Sequence, residues 1–224
     1  MAVLTHSPRV VVFDFNGTLF DDFEVAYGSV QEIFKTYSMP CPTSEQYREE
    51  ISADYMEFYY KHGIPRMTID DELNVIRNRF YKTNGGNAKI RPDVWITLCQ
   101  LTFFQIRTAI VSAESETNLY RQLICGGNLQ RSFDLIKAES WGFRGKEEAL
   151  LRVAEIFGEE PNQIIYVDDS VDGLTSAKNV GVVPVAFTNS TAYHSRHRLV
   201  EVTEFEIEKI SEIVNMFKKG GRMS

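Results

Sequence analysis

Residues 10–19, with the sequence Val-Val-Val-Phe-Asp-Phe-Asn-Gly-Thr-Leu, decide the fold class of this chain. The run from Val10 to Phe15 is apolar and rich in β-branched residues except at Asp14, and Asn16-Gly17 ends it. Such a run predicts a strand buried on both faces, as in a parallel sheet. Asp14 would then lie at the carboxyl end of the strand, where an aspartate is a nucleophile, a metal ligand or a turn-forming cap. Gly17 allows the backbone to turn and to approach a ligand closely.

From Pro92 onward, segments with helical periodicity alternate with short apolar runs. This alternation predicts a doubly wound α/β fold with a parallel sheet, in which ligands bind outside the carboxyl ends of the strands. The predicted strands are residues 10–15, 106–111, 133–136, 164–167 and 183–187. The predicted helices are residues 94–101, 116–124, 146–157, 173–180 and 204–217.

Residues 20–81 have a different character, because they combine helical amphipathic patterns with many aromatic side chains. Proline and glycine break the pattern at residues 39–42 and 63–65, and Asn84-Gly85-Gly86-Asn87 has the composition of a hinge. The sequence therefore predicts a helical domain at residues 20–85, inserted into an α/β core made of residues 1–19 and 86–224.

Composition limits the kinds of partner that this protein can have. The formal net charge of −7 disfavours nucleic acid or an anionic membrane as the main partner, since both require a basic face. Three cysteines at wide spacing form neither a disulfide framework nor a zinc cluster, and we expect reduced, buried thiols. No signal peptide or membrane-spanning run is recognised, so we expect a cytoplasmic protein. The oligomeric state cannot be read from the sequence.

Polar side chains follow three of the predicted strands at the point where each strand ends. Asp14 follows the first strand, Ser112 the strand at residues 106–111, and Asp168-Asp169 the strand at residues 164–167. Adjacent acids after a buried strand are costly without a cation, which favours a functional role for the aspartate pair. Taken alone, Ser112 is better interpreted as a cap of the following helix, and Lys146 as a solvated lysine at the start of a helix.

As a set, these segments resemble the four motifs of the haloacid dehalogenase-like hydrolases, in the order typical of that family. Residues 14–19 resemble the first motif and Ser112 the second. Lys146 in Arg144-Gly145-Lys146 resembles the third motif, and residues 165–170 followed by Asp172 resemble the fourth. The segment at residues 20–81 resembles the helical cap of the phosphoglycolate-phosphatase-like branch of this family.

The resemblance implies a Mg²⁺-dependent hydrolase, most simply a phosphatase that acts on a small phosphorylated metabolite. Asp14 would attack phosphorus and form an aspartyl phosphate. Magnesium would be bound by the carboxylates of Asp14 and Asp169 and by the backbone carbonyl of Asn16, with Asp168 and Asp172 as further candidates. The implied catalytic residues are Asp14, Asn16, Ser112 and Lys146, and the implied substrate contacts are Gly17, Thr18, Ser112, Ala113 and Lys146.

Asn16 departs from the pattern of the family, because most of its phosphatases carry a second aspartate at this position. That aspartate protonates the leaving oxygen and activates the hydrolytic water, which an amide cannot do. Four explanations stay open: a phosphatase with slow turnover, a good leaving group or an acid from the cap, a binding module for a phosphorylated ligand, a hydrolase of another bond of the phosphonate or haloacid type, and an introduced Asp-to-Asn change. The physiological substrate cannot be read from the sequence.

Overall fold

A six-stranded parallel sheet forms the centre of the protein, in the strand order β5-β4-β1-β6-β7-β8. The computed structural model describes residues 8–52, 54–66, 70–138 and 145–218. The strands are β1 (Val10–Phe13), β4 (Arg107–Val111), β5 (Leu135–Lys137), β6 (Ile164–Asp168), β7 (Val183–Phe187) and β8 (Glu206–Ile207). This sheet, flanked by helices, confirms the predicted doubly wound α/β class.

Helices cover both faces of the sheet, so its central strands are buried and apolar. On one face, helices α5 (Val94–Phe103) and α6 (Glu116–Cys125) pack in a core that includes Val11 and Phe13 of β1. On the other face, α7 (Lys146–Phe157) and α8 (Val171–Asn179) share a core with Val10 and Val12. Alternate residues of β1 thus enter opposite cores, which explains why the whole strand is apolar. Helices α9 (Arg196–Val202) and α10 (Asn215–Lys218) lie beyond β7 in the described part of the chain.

The chain leaves and re-enters this core through a two-stranded antiparallel ribbon. Its strands are β2 (Phe20–Asp21) and β3 (Lys89–Ile90), with Phe20 paired to Ile90. Between them the described residues form four α-helices, α1 (Phe23–Thr36), α2 (Ser44–Glu50), α3 (Tyr55–Lys61) and α4 (Asp70–Asn84), and a 3₁₀ helix at Gly85–Asn87. We call this segment the insert. It has its own core, with buried Phe34 and Phe58 in T-shaped contact. The domain boundaries and a capping role for residues 20–85 stay predictions.

Three of the expectations from sequence need correction. The helix predicted at residues 204–217 is instead the short strand β8, a 3₁₀ helix at Ile210–Val214, and α10. Spacings of three residues between apolar side chains fit a 3₁₀ helix as well, and pairing of Glu206–Ile207 with β7 decides the strand. β1 ends at Phe13 rather than at residue 15. Cys99 on α5 and Cys125 on α6 are exposed, because the buried faces of these helices carry other residues, and Cys41, between α1 and α2, is partly buried.

Membrane insertion was not expected from the sequence. No helix among the described residues combines the length and the apolar composition needed to cross a bilayer.

Candidate active site at the carboxyl edge of the sheet

Three buried carboxylates meet at the carboxyl edge of the sheet. Asp14, Asp168 and Asp169 each offer an oxygen atom within 4.8 Å of the others, and none of the three residues is more than 6% exposed. Strands β1 and β6 are neighbours, with Phe13 opposite Val167, so Asp14 and Asp168 lie level with each other where the strands end. The fold therefore brings together like charges that are far apart in the sequence. We call these three residues the carboxylate cluster.

Lys146 provides the positive charge that the cluster requires. It is the first residue of α7, and its Nζ lies 2.9 Å from Asp14 Oδ1 and 2.5 Å from Asp168 Oδ2. Gly145, directly before it, has a φ of +122°, a conformation that favours glycine. Arg144, which belongs to the same predicted motif, lies outside the described residues. Among the residues that the structure describes, no second lysine or arginine comes within 4.0 Å of these carboxylates.

The charge balance of the cluster shifts its pKa values. Burial raises the pKa of Asp14 to about 7, while Lys146 opposes this shift and Asp168 adds to it. Burial and the charges of Asp168 and Asp14 raise the pKa of Asp169 well above the usual carboxyl range. Burial lowers the pKa of Lys146, but Asp14 and Asp168 outweigh burial and raise it well above its ordinary value. One ammonium thus leaves the three carboxylates under-neutralised.

The hydrogen bonds of the two adjacent aspartates differ. Asp168 Oδ1 accepts from the backbone N–H and the hydroxyl of Ser170, and its Oδ2 accepts from Lys146. Asp169 accepts from the Thr18 hydroxyl at 3.0 Å and from the Tyr193 N–H at 2.6 Å, and neither of these donors is charged. Asp168 is therefore matched by a cation, whereas Asp169 has no cationic partner among the described residues.

Gly17 is required where it stands. Its φ is +76°, and a Cβ atom at this position would lie 2.2 Å from Asp169 Oδ2. Any side chain here would displace the Asp169 carboxylate, so the glycine allows the first loop to pack against the cluster.

Asn16 is paired with a carboxylate that the sequence analysis did not single out. The Asn16 side-chain N–H donates to Asp22 Oδ2 at 2.8 Å, and the Gly17 backbone N–H donates to Asp22 Oδ1 at 2.9 Å. Asp22 is 2% exposed, and burial raises its pKa to about 6 against the lowering effect of these donors and of Tyr193. Asp22 thus holds the loop that carries Asn16.

The remaining predicted site residues are Ser112, Thr18, Ala113 and Asp172. Ser112 follows β4, the other neighbour of β1, and its hydroxyl accepts from the Glu114 N–H at 3.0 Å. It does not cap α6, whose N-cap residue is Ser115. Thr18 is fully buried, and its hydroxyl donates to Asp169. Ala113 is exposed, and Asp172, on α8, is not part of the carboxylate cluster.

Two residues with structural roles at the site gave little signal in the sequence. Asp22 follows another acid directly before a helix, a position where aspartate is common as a cap. Arg91 lies 73 residues beyond Thr18, yet it donates to the carbonyls of Thr18 and Gly17 at 2.8 and 2.6 Å. Only the β2–β3 ribbon brings Arg91 to the loop, so sequence patterns alone could not have placed it.

Comparison with known proteins agrees with this architecture. A family model described as haloacid dehalogenase-like hydrolase matches residues 11–187. Phosphoglycolate phosphatase from Aquifex aeolicus is 22% identical over 215 residues, covering 93% of this chain and 96% of that protein. Phosphorylated carbohydrates phosphatase from Thermotoga maritima is 21% identical over 221 residues, covering 94% and 99%.

Solved structures share the fold. A haloacid dehalogenase-like family hydrolase from Streptococcus pneumoniae superimposes with a TM-score of 0.78 at 18% identity, covering 94% of this chain and 98% of that one. The family match extends over more than half of the chain, from β1 to the end of β7. The chain therefore belongs to the haloacid dehalogenase-like hydrolase family.

Proposed function

We propose that this protein is a Mg²⁺-dependent phosphatase that hydrolyses a small phosphorylated metabolite through an aspartyl phosphate at Asp14. The observation that carries the proposal is the buried carboxylate cluster in contact with the Lys146 ammonium. Phosphoryl transfer requires a nucleophile and positive charge beside an anionic ester, and this cluster offers a carboxylate nucleophile next to a cation. Two relatives are named as phosphatases, which supports the same reaction class.

The donor set of the cluster fits magnesium, which prefers oxygen ligands. Both oxygens of Asp168 accept hydrogen bonds, one of them from the Lys146 ammonium, whereas both donors to Asp169 are uncharged. We therefore assign Asp14 and Asp169 as the ligands, with the Asn16 carbonyl as a third. Hydrogen bonds from Thr18 and Tyr193 orient the Asp169 carboxylate, as is common for metal-ligating groups. When bound, the ion would neutralise the cluster and the phosphoryl oxygens.

The protein's own groups divide the reaction into two displacements. In the first, an Asp14 carboxylate oxygen attacks phosphorus, the ester P–O bond breaks, and the leaving oxygen takes a proton. In the second, water attacks the aspartyl phosphate, inorganic phosphate leaves, and Asp14 is restored. Lys146 lowers the pKa of Asp14 and so favours its ionised, nucleophilic form. The Ser112 hydroxyl and the backbone at Gly17, Thr18 and Ala113 would hold the phosphoryl oxygens together with Lys146.

Asn16 limits which substrates this site can turn over quickly. Its amide donates to Asp22 and cannot supply the proton that the leaving oxygen takes. Substrates with a leaving group that needs little protonation, such as an acyl or aryl phosphate, should therefore react faster than alkyl phosphates. The same residue favours a second candidate function, in which the site binds a phosphorylated ligand with little or no turnover.

A panel of phosphorylated metabolites, assayed for phosphate release with and without magnesium, tests the proposal. We expect release that depends on magnesium and is lost in Asp14→Asn, while the Asp172→Asn control keeps it, since Asp172 lies outside the carboxylate cluster. Binding of the same compounds without release would support the binding module instead. Release that is independent of magnesium, or that persists in Asp14→Asn, would contradict the proposal.

A further inference from the structure

A second recess lies beside the carboxylate cluster and shares none of its acids. It is a cavity of about 850 Å³ between the C-terminal end of α4, the β2–β3 ribbon, and helices α5 and α6. Cavities of this size are typical of small-molecule sites. Asp14, Asp168 and Asp169 do not line it. The cavity therefore requires its own explanation.

Positive charge predominates in the lining. Lys82, Lys89 and Arg121 face the cavity, and none of them has a carboxylate within 4.0 Å among the residues described. Glu114 contributes one acid to the lining, and its Oε1 accepts from the Ser115 N–H and the Asn118 amide. In a chain with a net charge of −7, three cations around one cavity that have no carboxylate partner in the described part of the chain predict an anionic ligand.

One further side chain indicates what the rest of the ligand is like. Trp95 lines the cavity and is 54% exposed, which leaves its ring available for stacking. The ligand should thus carry a flat ring besides its negative charge.

Arg91 connects this cavity to the first loop of the active site. It is 7% exposed, lines the cavity, and donates to the carbonyls of Gly17 and Thr18. It also forms an ion pair with Asp21 at 3.1 Å, so its charge is already compensated. One side chain therefore separates the cavity from the loop that carries Asn16, and the ligand would lie next to the reaction centre without entering it.

We propose that this cavity is a second ligand site and that it takes a nucleoside phosphate. Lys82, Lys89 and Arg121 bind the phosphate groups, and Trp95 stacks on the base. The site is independent of the proposed phosphatase reaction, because it uses none of the residues assigned to that reaction.

Trp95 emission provides a direct test. The chain has two tryptophans, and Trp141 lies outside the described residues, so the Trp141→Phe variant reports on Trp95. This variant is titrated in EDTA, which prevents magnesium-dependent turnover, with ADP, adenosine or inorganic pyrophosphate. We expect ADP to quench the emission saturably and to bind more tightly than either of the other two. Lack of saturation by ADP at millimolar concentration, or equal affinity for ADP and pyrophosphate, would overturn the proposal.

Charge-removing variants locate the site. In the Trp141→Phe background, Lys82→Ala/Lys89→Ala should weaken ADP binding by about tenfold or more, because two charged contacts are lost. The control double variant, Arg152→Ala/Lys35→Ala, removes two positive charges from α7 and α1. These residues are exposed and do not line the cavity, so the affinity for ADP should stay within about twofold of the Trp141→Phe value. Equal weakening of ADP binding in both double variants would overturn the proposed location of the site. Because binding is measured without turnover, a negative result leaves the phosphatase proposal standing, and a failed phosphatase assay leaves this site standing.

Discussion

At the carboxyl edge of the sheet, three carboxylates are buried within 4.8 Å of one another, whereas the insert is held together by aromatic rings. In the insert, buried Phe34 and Phe58 pack edge to face, and the exposed Lys35–Glu32 pair lies on its surface. The apolar packing of the insert contributes to stability directly. The carboxylate cluster opposes stability unless cations are present. The comparison indicates that the reactive groups of this protein lie where the fold holds like charges together.

The largest expected effect comes from removing the one ammonium in contact with the cluster. Lys146→Met should lower the free energy of unfolding by about 3–5 kcal/mol without magnesium, because two buried carboxylates lose their cation. Lys35→Met on the surface of the insert should cost less than about 1 kcal/mol, because its ion pair is exposed. Urea denaturation measures both variants. Equal losses would remove the distinction between the two regions.

Magnesium should stabilise the edge of the sheet through the cluster. A ligand that binds only the folded state adds about 2.7 kcal/mol at a concentration one hundred times its Kd, so the melting temperature should rise with magnesium. Asp169→Asn should lose this rise, while Asp172→Asn should keep it, since Asp172 does not belong to the carboxylate cluster. Thermal melts of the two variants, with calorimetry of magnesium binding, decide the matter. An undiminished rise in Asp169→Asn would count against Asp169 as a ligand.

A smaller effect is expected from restoring the acid–base group. Asn16→Asp should raise turnover of an alkyl phosphate by about tenfold or more, and turnover of an aryl phosphate by less. The substitution should also lower the free energy of unfolding, because the new carboxylate would face Asp22, to which the Asn16 amide now donates at 2.8 Å. Adding Asp22→Asn should recover stability, since the amide and the carboxylate then exchange places and the hydrogen bond is kept.

Steady-state kinetics and urea denaturation of the two single variants and the double variant measure this coupling. Equal gains on alkyl and aryl phosphates would contradict the argument about leaving groups. Additive stability changes would show that positions 16 and 22 do not interact. Intact mass must be checked first, because asparagine before glycine at positions 16–17 can deamidate to aspartate.

The smallest effect concerns how the insert is held on the sheet. Arg198, on α9, donates to the carbonyls of Arg48 and Ile51 in the insert at 2.8 and 3.0 Å. If the insert opens as a cap around residues 84–87, Arg198→Ala should speed proteolysis there by about fivefold, the factor that corresponds to losing about 1 kcal/mol. Arg196→Ala, which breaks an exposed pair with Glu206, should have no effect.

A phosphate analogue such as vanadate, added with magnesium, should slow the cleavage in the wild-type protein. Cleavage at residues 84–87 that is equally fast with and without the analogue would make gating at this hinge unlikely.

Much of the sheet could be predicted from the sequence, because buried parallel strands are apolar runs and their ends are polar. The bounds of β7 and α7 agree with the predictions, Asp14 and Ser112 do follow strand ends, and Asp168 is the last residue of β6. The pairings across the loops could not be predicted. The contact between Asp22 and Asn16 depends on the turn that Gly17 makes, and the position of Arg91 depends on the β2–β3 ribbon. Strand β8 depends on the hydrogen bonds that β7 offers.

The central claim is that Asp14 carries the phosphoryl group, and chemical trapping tests it most directly. The enzyme is mixed with magnesium and a substrate from the active panel, and borohydride is added during turnover to reduce any acyl phosphate to an alcohol. Peptide mass spectrometry then locates the reduced residue. The account predicts homoserine at position 14 and none at positions 22, 168 or 169. Reduction at any other aspartate, or sustained phosphate release with position 14 unmodified, would contradict it.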